Sequence, residues 1–319
     1  MEKIPVIAVV GATASGKTAM AVNLAKLFNG EVISADSMQI YKGMNIATAK
    51  PDKIEQDGIP HHLIDFLEID EKYSVARFVE DAKKCAEDIY SREKIPVVAG
   101  GTGLYVDSFL ENVLFDDEPD NSEIREKLLV RRQTEGIEVL FEELQKIDPE
   151  TADKLHINNE GRIIRALEIY FLTGQTKSER LILSRRAQSD FDPVYIGLDY
   201  KDREKLYNRI DLRVDMMMRN GLLEEAKEYF AIERNYTAAQ AIGYKELAPY
   251  FNGAITLDEA LDNLKRATRR YAKRQLTWFR KNQKINWIYC DEYADYQDIL
   301  KIASDIVNEH LDGKVSDNE

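Results

Sequence analysis

Residues Ile7 to Thr18, IAVVGATASGKT, constrain this chain more than any other stretch. A short apolar run breaks at Gly11 and continues through Ala12, Thr13, Ala14, Ser15 and Gly16 to Lys17 and Thr18, the spacing G-x-x-x-x-G-K-[ST] of a phosphate-binding loop. The residue types follow from the task. Glycines let backbone N–H groups close around phosphate oxygens at the start of a helix, whose dipole favours an anion there. Lys17 adds a positive charge, and Thr18 a hydroxyl suited to Mg2+. Val6, Ile7, Val9 and Val10 read as a buried strand before the loop, and Ala19 to Leu27 as an amphipathic helix after it. The loop alone does not choose its phosphate compound, for which ATP is the obvious candidate.

Composition narrows the class. At 319 residues the chain has room for about two domains. No run approaches the ~18 apolar residues that a membrane span needs, and MEKIPVIAVVG enters the first strand without a signal-peptide pattern. A cytoplasmic protein with no membrane partner is therefore expected, and a monomer. Cys85 and Cys290 suggest no disulfide framework and form no metal-binding pattern with His61, His62, His156 or His310; two buried thiols are the simpler reading. A net charge of −13 argues against indiscriminate nucleic-acid binding but can hide a local basic patch.

Glu31 to Ala35 reads as a second strand, with Asp36-Ser37-Met38-Gln39 at its carboxyl end. Ligands of open α/β sheets bind at that edge, so Asp36 either faces the crevice of Lys17 or caps a turn. Tyr41 to Pro60 reads as a movable loop, His62 to Asp65 as a short third strand and Val75 to Tyr90 as a helix. Ile95 to Ala99 is a buried strand ending in Gly100-Gly101-Thr102-Gly103, where the backbone must turn sharply or approach a ligand, which makes Thr102 a second crevice candidate. From Phe115 to Asp190 strand character disappears, and Ser122–Arg132, Ile137–Lys146 and Arg162–Leu172 read as helices of an inserted domain. The predicted fold is thus α/β: a P-loop NTPase-like parallel sheet (1–114 and 191–319) with helices on both faces, plus an inserted all-helical domain (115–190).

Strand character returns at Val194 to Leu198, and Arg203 to Arg219 forms a helix stopped by Asn220-Gly221. Arg209 and Arg213 share one face of it, to reach a phosphate or to pair with Asp211, Asp215 or solvent. Gln240 to Lys245 reads as a bend. Asp258 is read as the cap of a helix to about Arg280 that carries Lys265, Arg266, Arg269, Arg270, Lys273, Arg274, Arg280 and Lys281 among Tyr271, Trp278 and Phe279. Cations interleaved with aromatics suit a phosphate backbone with unstacked bases, or else a solvated helix face whose aromatics turn inward. A closing strand at Asn286 to Tyr289, a helix at Gln297 to His310 and a disordered tail from Asp312 complete the chain.

Taken in order, these stretches resemble the tRNA dimethylallyltransferase (tRNA isopentenyltransferase) family. The resemblance rests on GATASGKT, DSMQIYKGMNIATAKP from Asp36, HHLID from His61, VVAGGTGLY from Val97 and GRIIRALEIYFLTG from Gly161. RVDMMMRNGLLEE from Arg213, QAIGYKE from Gln240 and YAKRQLTWFR from Tyr271 complete it, so it spans nearly the whole chain. Ala12 departs from a common proline, and Gly161 from a common polar residue.

The resemblance implies transfer of a dimethylallyl group from dimethylallyl diphosphate to N6 of the adenosine 3′ of the anticodon in tRNA, with release of diphosphate. It implies that Gly11 to Thr18 hold the diphosphate, with Lys17 and Arg213 stabilising it, Mg2+ on Thr18, Asp36 as general base and Thr102 beside it. It assigns tRNA contacts to Asp36, Ser37, Met38, Gln39, Thr102, Arg125, Gly161, Arg162, Ile163, Ile164, Arg165, Gln240, Ala241, Ile242, Gly243, Tyr244, Lys245, Lys273, Arg274, Gln275 and Arg280. The inserted domain is expected to close on the anticodon stem-loop. The chemistry is coherent: an allylic C–O bond cleaves once its diphosphate is neutralised, and the weakly nucleophilic adenine amine needs a base. The rival is a P-loop small-molecule or nucleoside kinase with ATP on the loop and Asp36 activating a hydroxyl. A non-enzymatic, nucleotide-gated RNA-binding module is a second alternative.

Overall fold

The computed structural model describes residues 3–111, 122–184, 189–232 and 238–317. The chain divides into two compact units, Met1–Leu110 with Ser189–Glu319, and Glu111–Gln188. The expected boundary at Phe115 lies outside the described residues.

In the larger unit, β1 (Ile4–Gly11) runs through the glycine loop into α1 (Lys17–Leu27), and β2 (Gly30–Ser34) follows. Next come α2 (Lys53–Gln56), β3 (His61–His62), α3 (Val75–Ser91), β4 (Ile95–Gly100) and α4 (Gly103–Leu110). The smaller unit holds α5 (Ser122–Glu135), α6 (Ile137–Ile147), α7 (Pro149–Ala152), α8 (Glu160–Thr173) and α9 (Lys177–Ser184). The chain returns with β5 (Phe191–Asp199), α10 (Arg203–Arg219), α11 (Leu222–Ala231), α12 (Tyr244–Phe251), α13 (Leu257–Phe279), β6 (Ile285–Tyr289) and α14 (Tyr296–Asp317).

The six strands pair in the order β3-β2-β4-β1-β5-β6, all parallel. A parallel sheet is covered on both faces, which is why its central strands are apolar throughout rather than alternating with polar residues. Ile7 and Val9 of β1 pack with Met20 and Leu24 of α1 and with Ala303 and Val307 of α14. Val6, Ala8 and Val10 turn the other way into a larger core with Phe78 and Ala82 of α3, Phe109 of α4 and Leu264 of α13. The smaller unit closes its own core around Leu128, Leu140, Leu144, Ile163, Ile164 and Leu167. No helix among the described residues is long and apolar enough to cross a membrane.

The structure corrects four local expectations. The strand expected over His62 to Asp65 is two residues long, because Leu63 and Asp65 both take left-handed φ of 56°. The segment read as loop from Tyr41 to Pro60 contains the short helix α2, and before it Tyr41 and Met44 are buried and Lys50 Nζ donates to the Tyr41 carbonyl at 2.7 Å and to Asp65 at 2.5 Å. The cap of α13 is Thr256, not Asp258, in a reciprocal pair with Glu259. The tail from Asp312 continues α14 to Asp317; residues 318 and 319 lie outside the described residues.

Candidate active site

The glycine loop connects β1, one of the two central strands of the sheet, to α1 and lies at the carboxyl edge. Gly11 leaves β1 with φ 144°, where a β-carbon would overlap the Leu198 carbonyl of β5. Gly16 opens α1 with φ 97°, a left-handed conformation that costs glycine little. Ala14 also has positive φ, 63°, and its carbonyl is held by Arg209 Nε at 2.9 Å. The Thr13 N–H donates to Gln275 Oε1 of α13 at 2.8 Å, and Gln275 Nε2 donates to the Gly101 carbonyl at 3.0 Å. One side chain therefore links the phosphate loop to the glycine turn after β4.

Lys17, Asp36 and Arg213 meet in a cavity of about 950 Å3, toward the top of the range of roughly 300–1,000 Å3 for small-molecule sites. All three are half-buried and line the recess. Burial, and after it the Arg213 charge, lowers the Lys17 ammonium to about 7, Asp36 opposing. Burial raises the Asp36 carboxyl above its ordinary value, against the N–H groups of Met38 and Gln39 and the charges of Lys17 and Arg213. Burial lowers Arg213, countered by Glu55 and Asp36. A bound anion would favour the charged forms of Lys17 and Arg213, which burial opposes. Lys17 Nζ meanwhile donates to the Ala12 carbonyl of its own loop at 2.6 Å.

Asp36 is placed by its own turn: its Oδ1 accepts from Met38 N at 2.9 Å and Gln39 N at 3.3 Å, and Thr102 Oγ1 accepts from Ser37 N at 3.2 Å. Tyr271 lines the same cavity, and burial, with the Asp36 charge after it, raises its hydroxyl against the influence of Thr102 and Gln275. Sequence reasoning missed Tyr271 as a site residue, although it lies in the aromatic-interleaved helix. Glu55 and Lys50 also line the cavity and were missed; nothing in their spacing marks them. The alternative in which Arg209 and Arg213 pair with Asp211 and Asp215 fails, because Asp211 binds Arg269 and Asp215 binds Lys265.

The remaining expected residues divide. Thr18, Ser37, Met38, Gln39, Gln240, Ala241, Ile242, Gly243, Lys245 and Arg274 line the same cavity. Lys273 is exposed, whereas Gln275 is buried and engaged as described. Tyr244 is buried with its hydroxyl on Glu225. Arg280 pairs with buried Asp199 at 2.7 Å, a partner it shares with Arg203. Ile163 and Ile164 lie in the core of the smaller unit, which leaves Gly161, Arg162 and Arg165 as the surface of that stretch. Arg125 and Arg165 both pair with Glu168, a fully buried carboxylate, at 3.2 and 3.1 Å.

Comparison with known proteins gives one consistent result. A family model described as IPP transferase matches residues 39–282. A tRNA dimethylallyltransferase of Caldanaerobacter subterraneus subsp. tengcongensis is 46% identical over 315 residues, 98% of this chain and 99% of the relative. Another, from Acetivibrio thermocellus, is 47% identical over 298 residues, 93% of this chain and 95% of the relative. The crystal structure of the full-length tRNA isopentenylpyrophosphate transferase of Bacillus halodurans superposes with a TM-score of 0.74 at 41% identity, covering 100% of both chains. A eukaryotic dimethylallyltransferase seen acting on tRNA superposes with a TM-score of 0.77 at 32% identity over 96% of this chain and 80% of that one.

Proposed function

The chain belongs to the IPP transferase family and is a tRNA dimethylallyltransferase, an enzyme of prenyl transfer to tRNA, and from that premise we propose the chemistry of its cavity. The donor is dimethylallyl diphosphate, and the acceptor is the N6 amine of the adenosine 3′ of the anticodon. The observation that carries this reading is the meeting of Lys17, Arg213 and Asp36 in one recess whose other walls include Ile46, Met216 and Met217. A leaving diphosphate calls for the cations, an allyl group for the apolar wall, and an amine losing a proton for the carboxylate.

As the bond between the allylic carbon and the diphosphate oxygen breaks, its electron pair leaves on the diphosphate. Lys17, Arg213 and the loop N–H groups take up that charge. N6 bonds to the allylic carbon and passes its proton to Asp36, whose burial makes it a stronger base than a solvated carboxylate. The adenine must leave its stack to reach them. Tyr271 lines the cavity and Thr102 holds the turn after Asp36 through the Ser37 N–H, so both stand where they would orient the adenine.

Thr18 opens α1 beside Lys17 and lines the cavity. One hydroxyl is a fitting protein donor for Mg2+, which keeps water and substrate phosphate oxygens in its other positions. Thr18 would hold the ion, and the ion would neutralise part of the diphosphate charge. Exposed Lys273 and Arg274 in one unit, and Arg162 in the other, supply cations for the tRNA backbone.

The test is incubation with labelled dimethylallyl diphosphate, Mg2+ and unmodified tRNA, followed by mass identification of the modified nucleoside. Label should enter a single adenosine. Label that stays out of the tRNA, beside ATP-dependent phosphorylation of a nucleoside, would overturn the reading.

A further inference from the structure

Glu225 of α11 takes no part in the chemistry above, yet its carboxylate accepts four hydrogen bonds. Oε2 accepts from the N–H groups of Asn45 at 2.8 Å and Ile46 at 2.7 Å. Oε1 accepts from the N–H of Ala47 at 2.9 Å and from the Tyr244 hydroxyl at 2.7 Å. Three successive backbone donors fix the strap after Met44, and Tyr244 brings the 240–245 bend to the same carboxylate. The Tyr244 ring is itself held, stacked on Tyr229 with centroids 3.9 Å apart.

Strap and bend also touch directly, since a β-carbon placed on Gly243 would lie 2.8 Å from Ala47 Cβ. Ile46 and Ala47 from the strap, Ile242 from the bend and Met217 from α10 all line the cavity, and all pack against the larger core. One carboxylate thus fastens two separate pieces of the cavity's apolar wall.

We propose that Glu225 is a positioning residue that keeps this wall closed around the prenyl group, so that the activated allylic carbon meets the adenine amine and not water. The proposal rests on the transferase reading given above. An allylic carbon that is losing diphosphate accepts any nucleophile within reach. If water enters, its oxygen bonds to that carbon, the diphosphate departs with the electron pair of the broken C–O bond, and the water's proton goes to solvent. The products are dimethylallyl alcohol and diphosphate, and water is the one added reactant. Excluding water is therefore a condition of transfer.

Glu225→Gln is the direct probe: turned either way, the amide sets its NH2 against two donors. With labelled dimethylallyl diphosphate and tRNA, the ratio of labelled alcohol to labelled tRNA should rise about tenfold, with KM for the diphosphate raised more than kcat is lowered. Tyr244→Phe keeps the ring stack and the three backbone bonds, so its ratio should rise about two- to threefold. A folded Glu225→Gln protein with the wild-type ratio, even at a lower Tm, would reduce Glu225 to a structural tie and overturn the proposal. If Glu225→Gln does not fold, Tyr244→Phe decides, and an unchanged ratio there overturns it as well. Absence of transfer by the wild-type protein would instead bring down the transferase reading, and the proposal with it.

Discussion

Two carboxylates stand at opposite ends of β2, and the protein treats them in opposite ways. Glu31, near the amino end, is bound by the Arg92 guanidinium at 2.5 and 2.8 Å, by Lys94 at 2.7 Å and by His62 at 2.8 Å. Arg92 first, with Lys94 and His62, holds its carboxyl far below the ordinary range in spite of its burial. Asp36, just past the carboxyl end, is bound by the N–H groups of its own turn, and burial raises it. Closed charge at the amino edge of the sheet stabilises the fold. At the carboxyl edge the charges of Asp36, Lys17 and Arg213 are brought into one cavity.

The sharpest way to break this contrast is to neutralise each carboxylate in turn. Asp36→Asn should lower kcat about 10²–10⁴-fold while Tm holds, since the base is lost and the turn remains. A variant with wild-type turnover would remove Asp36 from the chemistry. Glu31→Gln should do the reverse, costing about 1–3 kcal/mol in denaturant unfolding with little change in kcat, the lower figures applying because Arg92 and Lys94 keep contact with water. The sign with pH follows from the depressed Glu31 carboxyl. Its stabilisation is complete above the ordinary value of 4.5 and is lost as pH falls below that toward the folded value. The variant should therefore lose less stability than wild type between neutral and acid pH.

Lys17 sharpens the ligand end of the comparison. Burial and Arg213 bring its proton loss down to about 7, whereas a bound diphosphate favours the charged form. Diphosphate affinity should be full below that pH and fall by up to about tenfold per unit above it, with proton uptake visible by calorimetry at pH 8 in buffers of differing ionisation enthalpy. Lys17→Arg should abolish the part of the uptake that belongs to this residue; equal uptake in the two proteins would reject it.

The smallest effect separates closed from open charge on α13. Replacing exposed Lys273 and Arg274 by alanine should reduce the log–log salt slope of tRNA binding by about 2. Arg280→Ala, which strips a partner from Asp199, should lower Tm and leave the slope near wild type. An Arg280 slope change equal to that of the pair would place it on the tRNA instead.

What could be read from sequence was whatever local spacing dictates. The loop from Gly11 to Thr18 announces strand, turn and helix together, and α10 runs from Arg203 to Arg219 as expected, because Asp202 caps it and Asn220-Gly221 ends it. The Thr256–Glu259 pair was equally readable, though Asp258 drew attention first. Whether Arg213 faces a ligand or a surface partner depends on distant chain, since Asp211 and Asp215 are claimed by Arg269 and Lys265 of α13. Glu225 was hidden for the same reason, and so was the part Gln275 plays, which was expected only as a tRNA contact: their partners, Asn45 to Ala47 and Thr13 with Gly101, are far away in sequence.

The seat of α13 on the turn after β4 bears on how such a chain can evolve. A β-carbon on Gly101 would collide with the Gln275 amide, and one on Gly103 with the Trp278 indole, whose Nε1 is tied to Asp107 at 2.6 Å. Neither glycine can drift alone. A larger residue at either place requires a smaller partner on α13, and a smaller residue at 275 abandons the Thr13 N–H. Lineages should therefore inherit the turn and this helix face as a linked pair, while exposed Lys273 stays freer to diverge.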